Sequence, residues 1–535
     1  EKNIQVSVPD VGGGFGAKIA LYPEQALCAA IALHLNRPVR WSETRTENLI
    51  GMAHGRAQTS RVRLGATDEG VITGISLEVT QDAGAYPLFG AYLPAFSRRM
   101  AVGPYAIPKV EFIWKSVMTN TTPVHAYRGA GRPEATMALE RAIDILSRQL
   151  DIDPADVRRR NFIASDAFPH TTAVDERYDS GDYEKALDLA LKLGEYDEIR
   201  VEQSRRRQSG ERLQLGIGLG SYVEITAGGG REDWAAVEIH PDGTATIYSA
   251  AVSHGNSHET TFAQLVSAVL KLPMESLRFV QGDTDAIAKS GGTMASRSLQ
   301  VVGSTILAAG ERTLHKARSV FAFHAEAAID DVVQFEDGRV GVAGVPSSAL
   351  TLGELAAIAT DLSNLPEDME PGLREDLTWE QEEATFPFGT HLSVVEVDTE
   401  TGDVRLIRHV ACDDAGEILN RMVVDGQVHG GAAQGIGQAL YEQFLYDAGN
   451  PLTGNLTTYL LPTAESLPSF LVDHTETPTP ENPLGAKGIG EAGTIGSTPA
   501  IVNAVLDALA PIGISHLDMP LTPSKIWEAI EEAAG

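Results

Sequence analysis

The chain has 535 residues, 43% of them hydrophobic and 21% charged, and its 42 basic and 73 acidic side chains leave a net charge of −31. That balance lacks the basic face that displaces counterions from nucleic acid or docks on an anionic bilayer, so both partners are excluded. Two cysteines, Cys28 and Cys412, make no disulfide framework, Cys-x-x-Cys knuckle or iron–sulfur ligand set, and point to a reducing cytoplasm.

The first stretch, EKNIQVSV, reads as a strand that feeds the loop VPDVGGGFGAK, where Phe15 stands amid bare backbone. With no initiator Met, the chain is read as part of something longer. ALCAAIALHL is about half a membrane span, so no transmembrane helix is expected, and no signal peptide is visible. RVRLGATDEGVITGISLEVTQDAG is a hairpin: alternating strands around a turn of Asp, Glu and Gly. AYRGAGRPE (126–134) is a glycine loop carrying Arg128 and Arg132. Pro133 then opens a helix whose Leu139, Ile143, Leu146 and Leu150 form one stripe. The charged run 195–212 reads as an exposed helix and connector. Two more hairpins of the same plan follow at 235–255 and 392–416, and 365–383 reads as a surface excursion. Helices are expected over 424–442, 501–509 and 523–534. The fold class is mixed α/β with much antiparallel sheet, divided into a lobe 1–194, the connector 195–212 and a lobe 213–535.

KGIGEAGTIG contains Gly488-x-Gly490-x-x-Gly493, the letters of a dinucleotide loop. Such a loop needs a buried strand before the glycines and a helix directly after them. Here TPTPENPLGAK precedes, and TIGSTP delays the helix to about Pro499, so the nucleotide reading fails on both sides. The P-loop, the Gly-x-Ser-x-Gly elbow and His-Glu-x-x-His are also missing. The predicted helix 424–442 holds Gly426, Gly430, Gly431, Gly435 and Gly437, at a cost of roughly 4–5 kcal/mol relative to alanine. Tight packing explains any one such stretch. Four in one chain suggest a large, awkwardly shaped ligand.

Taken together, GGGFGAK, AYRGAGRPE, SHGNSHETTFAQ, ASRS, GQVHGGAAQGIGQAL and KGIGEAGTIGSTPAIVNAVLDAL resemble, in order, the molybdenum hydroxylases of the xanthine dehydrogenase, aldehyde oxidase and aerobic carbon monoxide dehydrogenase group. The resemblance covers nearly the whole chain and is nearest to carbon-monoxide-dehydrogenase-like large subunits. It implies two elongated molybdopterin-binding lobes and a missing N-terminal portion, through excerpting or a split gene. It implies a molybdenum–molybdopterin cofactor, in the cytosine dinucleotide form, contacted by Gly13, Gly14, Phe15, Gly16, Arg128, Gly129, Gly255, Asn256, Ala295, Ser296, Gln427, Gln434, Lys487, Gly488 and Gly490. Phe15, Arg128 and Ala295 would lie near the metal without a side-chain ligand. Glu491 matches the family's catalytic base, and burial is expected to raise its pKa. The implied reaction hydroxylates an aldehyde or N-heterocycle with oxygen from water, passes hydride to a molybdenum sulfido ligand, and sends electrons onward. A small subunit with [2Fe–2S] clusters and a medium FAD subunit would receive them, in a cytoplasmic dimer of heterotrimers, a heterohexamer.

Departures narrow the substrate. Gly129 stands where copper–molybdenum carbon monoxide oxidisers carry cysteine, which puts carbon monoxide in doubt. Ile19, Ala130 and Phe96 stand where purine oxidisers carry an acid, a stacking phenylalanine and an arginine. Asn256 replaces a usual glutamine, and Arg421 a usual proline. Two other readings stay open, a nicotinamide-dependent dehydrogenase and a lobe that keeps the fold without the activity.

Overall fold

Residues 4–534 are described by the computed structural model. Residues 1–3 of the opening stretch lie outside them, and residues 4–8 are not a strand. Ser7 alone makes a bridge, to Asp283, because the segment finds one short loop as neighbour rather than a ladder. Helix α1 (Pro23–Leu35) starts on its proline and stops at Asn36, which takes a left-handed conformation.

Strands β1 (Gln58–Ala66) and β2 (Ile72–Gly84) form the first predicted hairpin, and β3 (Val110–Met118) lies parallel beside β2. Helix α2 (Arg132–Leu150) drops Leu139 and Ile143 onto Ile72, Ile75, Leu77 and Val79 of β2. The charged run 195–212 holds helix α3 (Tyr196–Ser209), ended by Gly210. From there the chain builds two four-stranded sheets from interleaved strands. Strand β4 (Leu213–Val223) joins one of them. Strands β5 (Glu232–Ile239) and β6 (Ala245–Ser249), the second hairpin, join the other. Helix α4 (His258–Leu270), strand β7 (Leu277–Val280) and helix α5 (Ser304–His324) complete this part, with Phe262, Val266, Ile306 and Val320 packed on Val237, Ile239 and Ile247.

Strand β8 (Leu373–Glu380) lies within the stretch expected to be a surface excursion. It pairs with β5 from Leu373↔Ile239 to Glu380↔Glu232, giving the order β8-β5-β6-β7. Every second residue from Leu373 to Trp379 turns inward, and the charges between them belong to an edge strand's outer face. Strands β9 (Phe388–Asp398) and β10 (Val404–Asp414) are the third hairpin. After helix α6 (Arg421–Leu440), strand β11 (Leu471–Thr475) closes the order β11-β10-β9-β4.

Helix α7 (Ala492–Leu509) begins directly after Glu491 and carries Pro499 inside it, so the delay to Pro499 expected from TIGSTP does not occur. Packing overrides propensity here, since all 18 residues are buried. Gly216, Gly218 and Gly220 share one face of β4 and let α7 lie on bare strand. An added Cβ at Gly220 would meet the Pro499 Cγ at 2.9 Å, and at Gly216 and Gly218 it would strike the carbonyls of Ala504 and Ala500. On its other side α7 meets α6, where a Cβ on Gly431 would approach the Gly493 Cα to 3.0 Å. Tight packing therefore explains Gly431 and Gly493, two of the glycines that suggested a ligand. Among the described residues one helix, Ala492–Ile512, is long and apolar enough to cross a membrane, and 83% of its apolar window is buried within the chain. Helix α8 (Pro523–Ala534) ends the described chain.

Candidate active site

Glu491 is the last residue before α7, and distant segments converge on its carboxylate. Oε1 accepts the Gly129 N–H at 2.8 Å and Oε2 accepts the Ser296 hydroxyl at 2.8 Å. The loop around Gly129 is held on both sides. The Arg128 N–H donates to the Phe15 carbonyl at 2.8 Å, which ties it to the first glycine motif. The Arg56 guanidinium donates to the carbonyls of Tyr127 (2.7 Å) and Arg128 (2.8 Å).

The Arg128 side chain is buried and works as a clamp. Its Nε donates to the Gly490 carbonyl at 2.6 Å, Nη1 to the Gln434 Oε1 at 3.2 Å and Nη2 to the Gln427 carbonyl at 3.0 Å. It thereby fixes α6 to the residue preceding Glu491. Phe15, at φ 50°, lies with its ring 5.6 Å from this guanidinium and stays 43% exposed. Gly13 leaves room for that ring, and an added Cβ at Gly16 would strike the Ala126 carbonyl. Gly14 abuts the Lys18 stem.

Ala295 and Ser296 take φ of 51° and 49°. The Ala227 N–H donates to the Ala295 carbonyl at 3.2 Å, and the Gln300 amide donates to the Ser296 carbonyl at 3.2 Å. An added Cβ at Gly488 would lie 2.6 Å from the Ser296 Cβ and 2.7 Å from the Thr226 Cγ2. One at Gly493 would lie 2.5 Å from the Val428 carbonyl. These glycines are filled by protein backbone and leave no space for a pyrophosphate. Between them, Ile489, Gly490 and Glu491 are half-buried.

Phe15 with Gly13, Gly14 and Gly16 of its loop, Arg128, Gly129, Ala295, Ser296, Gln427, Gln434, Gly488, Gly490 and Glu491 are thus brought together. Three other predicted positions are not in this cluster. Asn256 bonds within its own turn, accepting from His254 N–H at 3.0 Å and meeting His258 Nε2 at 2.8 Å, with Gly255 beside it. Lys487 is enclosed, its Nζ 3.6 Å from Asp414 Oδ1 and 3.3 Å from the Ser180 carbonyl, so it braces the loop from behind.

Burial does push the Glu491 pKa upward, as expected, but it is outweighed. The Arg132 guanidinium, the Gly129 N–H, the Ser296 hydroxyl and the Glu224 carboxyl together hold it below the ordinary glutamate range. The raised pKa expected from burial is therefore corrected to a lowered one. Glu224 was missed by the sequence reading. It is fully buried, and its carboxyl lies within hydrogen-bonding reach of Glu491. Its burial, and next the Glu491 charge, push its pKa well up. The available signal was a lone acid inside the apolar run GSYVEITAG.

The surroundings fit a pterin-held metal. Among the described residues no group of three or more His, Cys, Asp and Glu side chains is placed to hold a metal ion directly. Gln427 and Gln434 share one face of α6 and turn their oxygens to Arg128, which frees two amide NH2 groups for heterocycle or phosphate acceptors. An added Cβ at Gly430, between them, would have only the Arg128 Nη1 near it, at 3.5 Å, and one at Gly426, just before Gln427, would meet nothing within 4 Å. A cradle without β-carbons thus runs along this face.

The chain matches the molybdopterin cofactor-binding domain family over residues 1–162 and again over 189–468. It is 36% identical to the carbon monoxide dehydrogenase large chain of Hydrogenophaga pseudoflava, over 99% of this chain and 68% of that one. It is 34% identical to the nicotine 6-hydroxylase large subunit of Paenarthrobacter nicotinovorans, over 99% and 66%. Quinoline 2-oxidoreductase from Pseudomonas putida 86 superposes with a TM-score of 0.93 at 33% identity, over 99% of this chain and 69% of that one. The chain spans about two thirds of the length of these relatives. It belongs to the molybdenum hydroxylase family, as the molybdopterin-binding large subunit.

Proposed function

We propose that this chain is the catalytic subunit of a hydroxylase that adds water-derived oxygen to a ring carbon of an N-heteroaromatic compound or to an aldehyde, with Glu491 as the base. When bound, the molybdenum cofactor takes up the two electrons of the oxidation. The cytosine dinucleotide form would lie along Gly426, Gln427, Gly430 and Gln434, with the Phe15 and Arg128 loops closing over it. The observation that carries the reading is the Glu491 carboxylate. It is oriented at both oxygens by Gly129 and Ser296, belongs to a half-buried residue, and is held below the ordinary glutamate pKa range by its surroundings. Such a group can accept the proton that the oxygen nucleophile loses on attack.

An N-heteroaromatic substrate is supported by the nicotine and quinoline relatives. Carbon monoxide oxidation with copper is disfavoured at Gly129. Its φ is 99°, and an added Cβ would lie 2.6 Å from the Pro133 Cγ, so a cysteine thiol has no place in this loop. The reading includes two cofactor-binding lobes, 1–194 and 213–535, joined at 195–212. It also includes separate iron–sulfur and FAD subunits, a dimer of heterotrimers and a cytoplasmic location. Purifying the complex, assaying molybdenum, and following dye reduction with N-heteroaromatics, aldehydes and carbon monoxide tests it. We expect molybdenum and turnover of one of the first two classes. Turnover of carbon monoxide alone, or a complex without molybdenum, contradicts it.

A further inference from the structure

Glu224 follows the last residue of β4, in a stretch whose residues 220–227 are all buried. Its backbone is pinned, with its own N–H on the Pro387 carbonyl at 2.8 Å and the Thr226 N–H on the Thr385 carbonyl at 2.9 Å. Neither of its carboxyl oxygens meets a hydrogen-bond donor among the described residues. An ionised carboxylate there would have given up water with nothing in return. Burial and the Glu491 charge outweigh the charges of the two guanidiniums nearby, which pull its pKa down, and neither guanidinium hydrogen-bonds to it. Arg132 donates to the carbonyls of Gly129, Ala130 and Ile225, and Arg128 to Gly490, Gln427 and Gln434. A neutral carboxyl needs only an acceptor for its one proton, and the Glu491 carboxylate is within reach.

We propose that Glu224 is a proton-carrying positioning residue whose neutral carboxyl donates a hydrogen bond to the Glu491 carboxylate, so that the two acids hold one resident proton between them. The asymmetry of the pair says which acid keeps it. Glu491 has the Gly129 N–H and the Ser296 hydroxyl, whereas Glu224 has neither. Adjacent acids in unequal surroundings ionise one at a time. The charged and titratable groups around the pair are Arg128, Arg132 and Tyr222, and Tyr222 spends its hydroxyl on Asp413 at 2.6 Å. The α6 side contributes the neutral Gln427 and Gln434. Glu224 then holds the Glu491 carboxylate in one orientation.

The inference rests on the reading of Glu491 as the base, so its test has an arm that needs no turnover. Infrared spectra of the intact complex at neutral pH should show a protonated carboxyl band that is lost in Glu224→Gln. A band unchanged in that variant overturns the proposal whatever the enzyme's substrate. The second arm is the pH dependence of kcat/KM. Glu224→Gln, whose amide still donates, should lower the rate but leave the acid limb in place. Glu224→Leu should raise the acid limb by about one pH unit, the worth of a lost hydrogen bond to a charged acceptor. Were Glu224 ionised, both substitutions would remove a repelling neighbour and lower the limb, and a purely packing role would move neither. Either result overturns the proposal. Should Glu224→Leu fail to fold, the infrared arm decides.

Discussion

At Glu491 the balance between burial and donors sets the chemistry. Burial alone would raise its pKa. The Arg132 charge and the bonds from Gly129, Ser296 and Glu224 outweigh it, so the base is ready without deprotonation. The acid limb of kcat/KM is therefore expected below the ordinary glutamate range, because the ionised form persists as pH falls until the lowered pKa is passed. Ser296→Ala removes a donor to the charged form, and its acid limb should move up by about one pH unit, measured by steady-state dye reduction. Gly129→Ala should cost activity more than any substitution of similar size nearby, since its φ of 99° and the Pro133 ring both oppose a Cβ. Glu491, Phe15 and Arg128 were legible because each sits in a short glycine motif, and Ser296 because it lies in ASRS, one of the ordered set. Glu224 was not. An acid in a strand says nothing of a partner far along the chain, and pairing of that kind appears only in space.

Helices α6 and α7 show how one glycine pattern serves two purposes. At Gly435 an added Cβ would strike the Ser497 hydroxyl and lie 3.0 Å from the Thr498 Oγ1, whereas at Gly426 it meets nothing. Gly435→Ala should destabilise by about 1–3 kcal/mol through overpacking, despite alanine's better helix propensity. Gly426→Ala should stabilise the cofactor-free chain by roughly 0.5–1 kcal/mol. Thermal unfolding of the two variants separates them in sign. At the far end of α7, Asp507 ties three elements together: it accepts from the Ile217 N–H (2.9 Å) and the Gln203 amide (2.6 Å) and pairs with Arg200 and Arg207 of α3. Burial raises its pKa, but Arg200, Arg207 and the Ile217 N–H outweigh that and hold it below the ordinary aspartate range. The stabilisation is thus present above that range and is lost as pH falls through the lowered value. Asp507→Asn should cost about 2–3 kcal/mol near neutral pH, discounted for the partly exposed guanidiniums. Its deficit should shrink in acid, as urea midpoints across pH would record. The three hairpins and the long amphipathic helix α2 were legible from period and turn chemistry. β8 was hidden by its charges, and the start of α7 by Pro499, because edge position and total burial are properties of the assembled sheet.

Across the whole molecule, the site is built from segments that the chain order keeps far apart: residues 13–16, 126–132, 224–226, 295–300, 427–434 and 488–491. None of these is complete alone, which is why single motifs read ambiguously and the set did not. The matched family domains at 1–162 and 189–468 each supply part of it. Iron and flavin are expected to co-purify on separate polypeptides, and metal assays of the resolved subunits should find neither on this chain. The account turns on one acid acting beside a pterin-held metal, and the most direct measurement is the single-turnover rate of substrate oxidation in the purified Glu491→Gln complex, with its molybdenum content assayed in parallel. The account predicts wild-type molybdenum content and a rate lower by about 10²–10⁴-fold, the range for loss of a general base. An undiminished rate at full molybdenum content would contradict it.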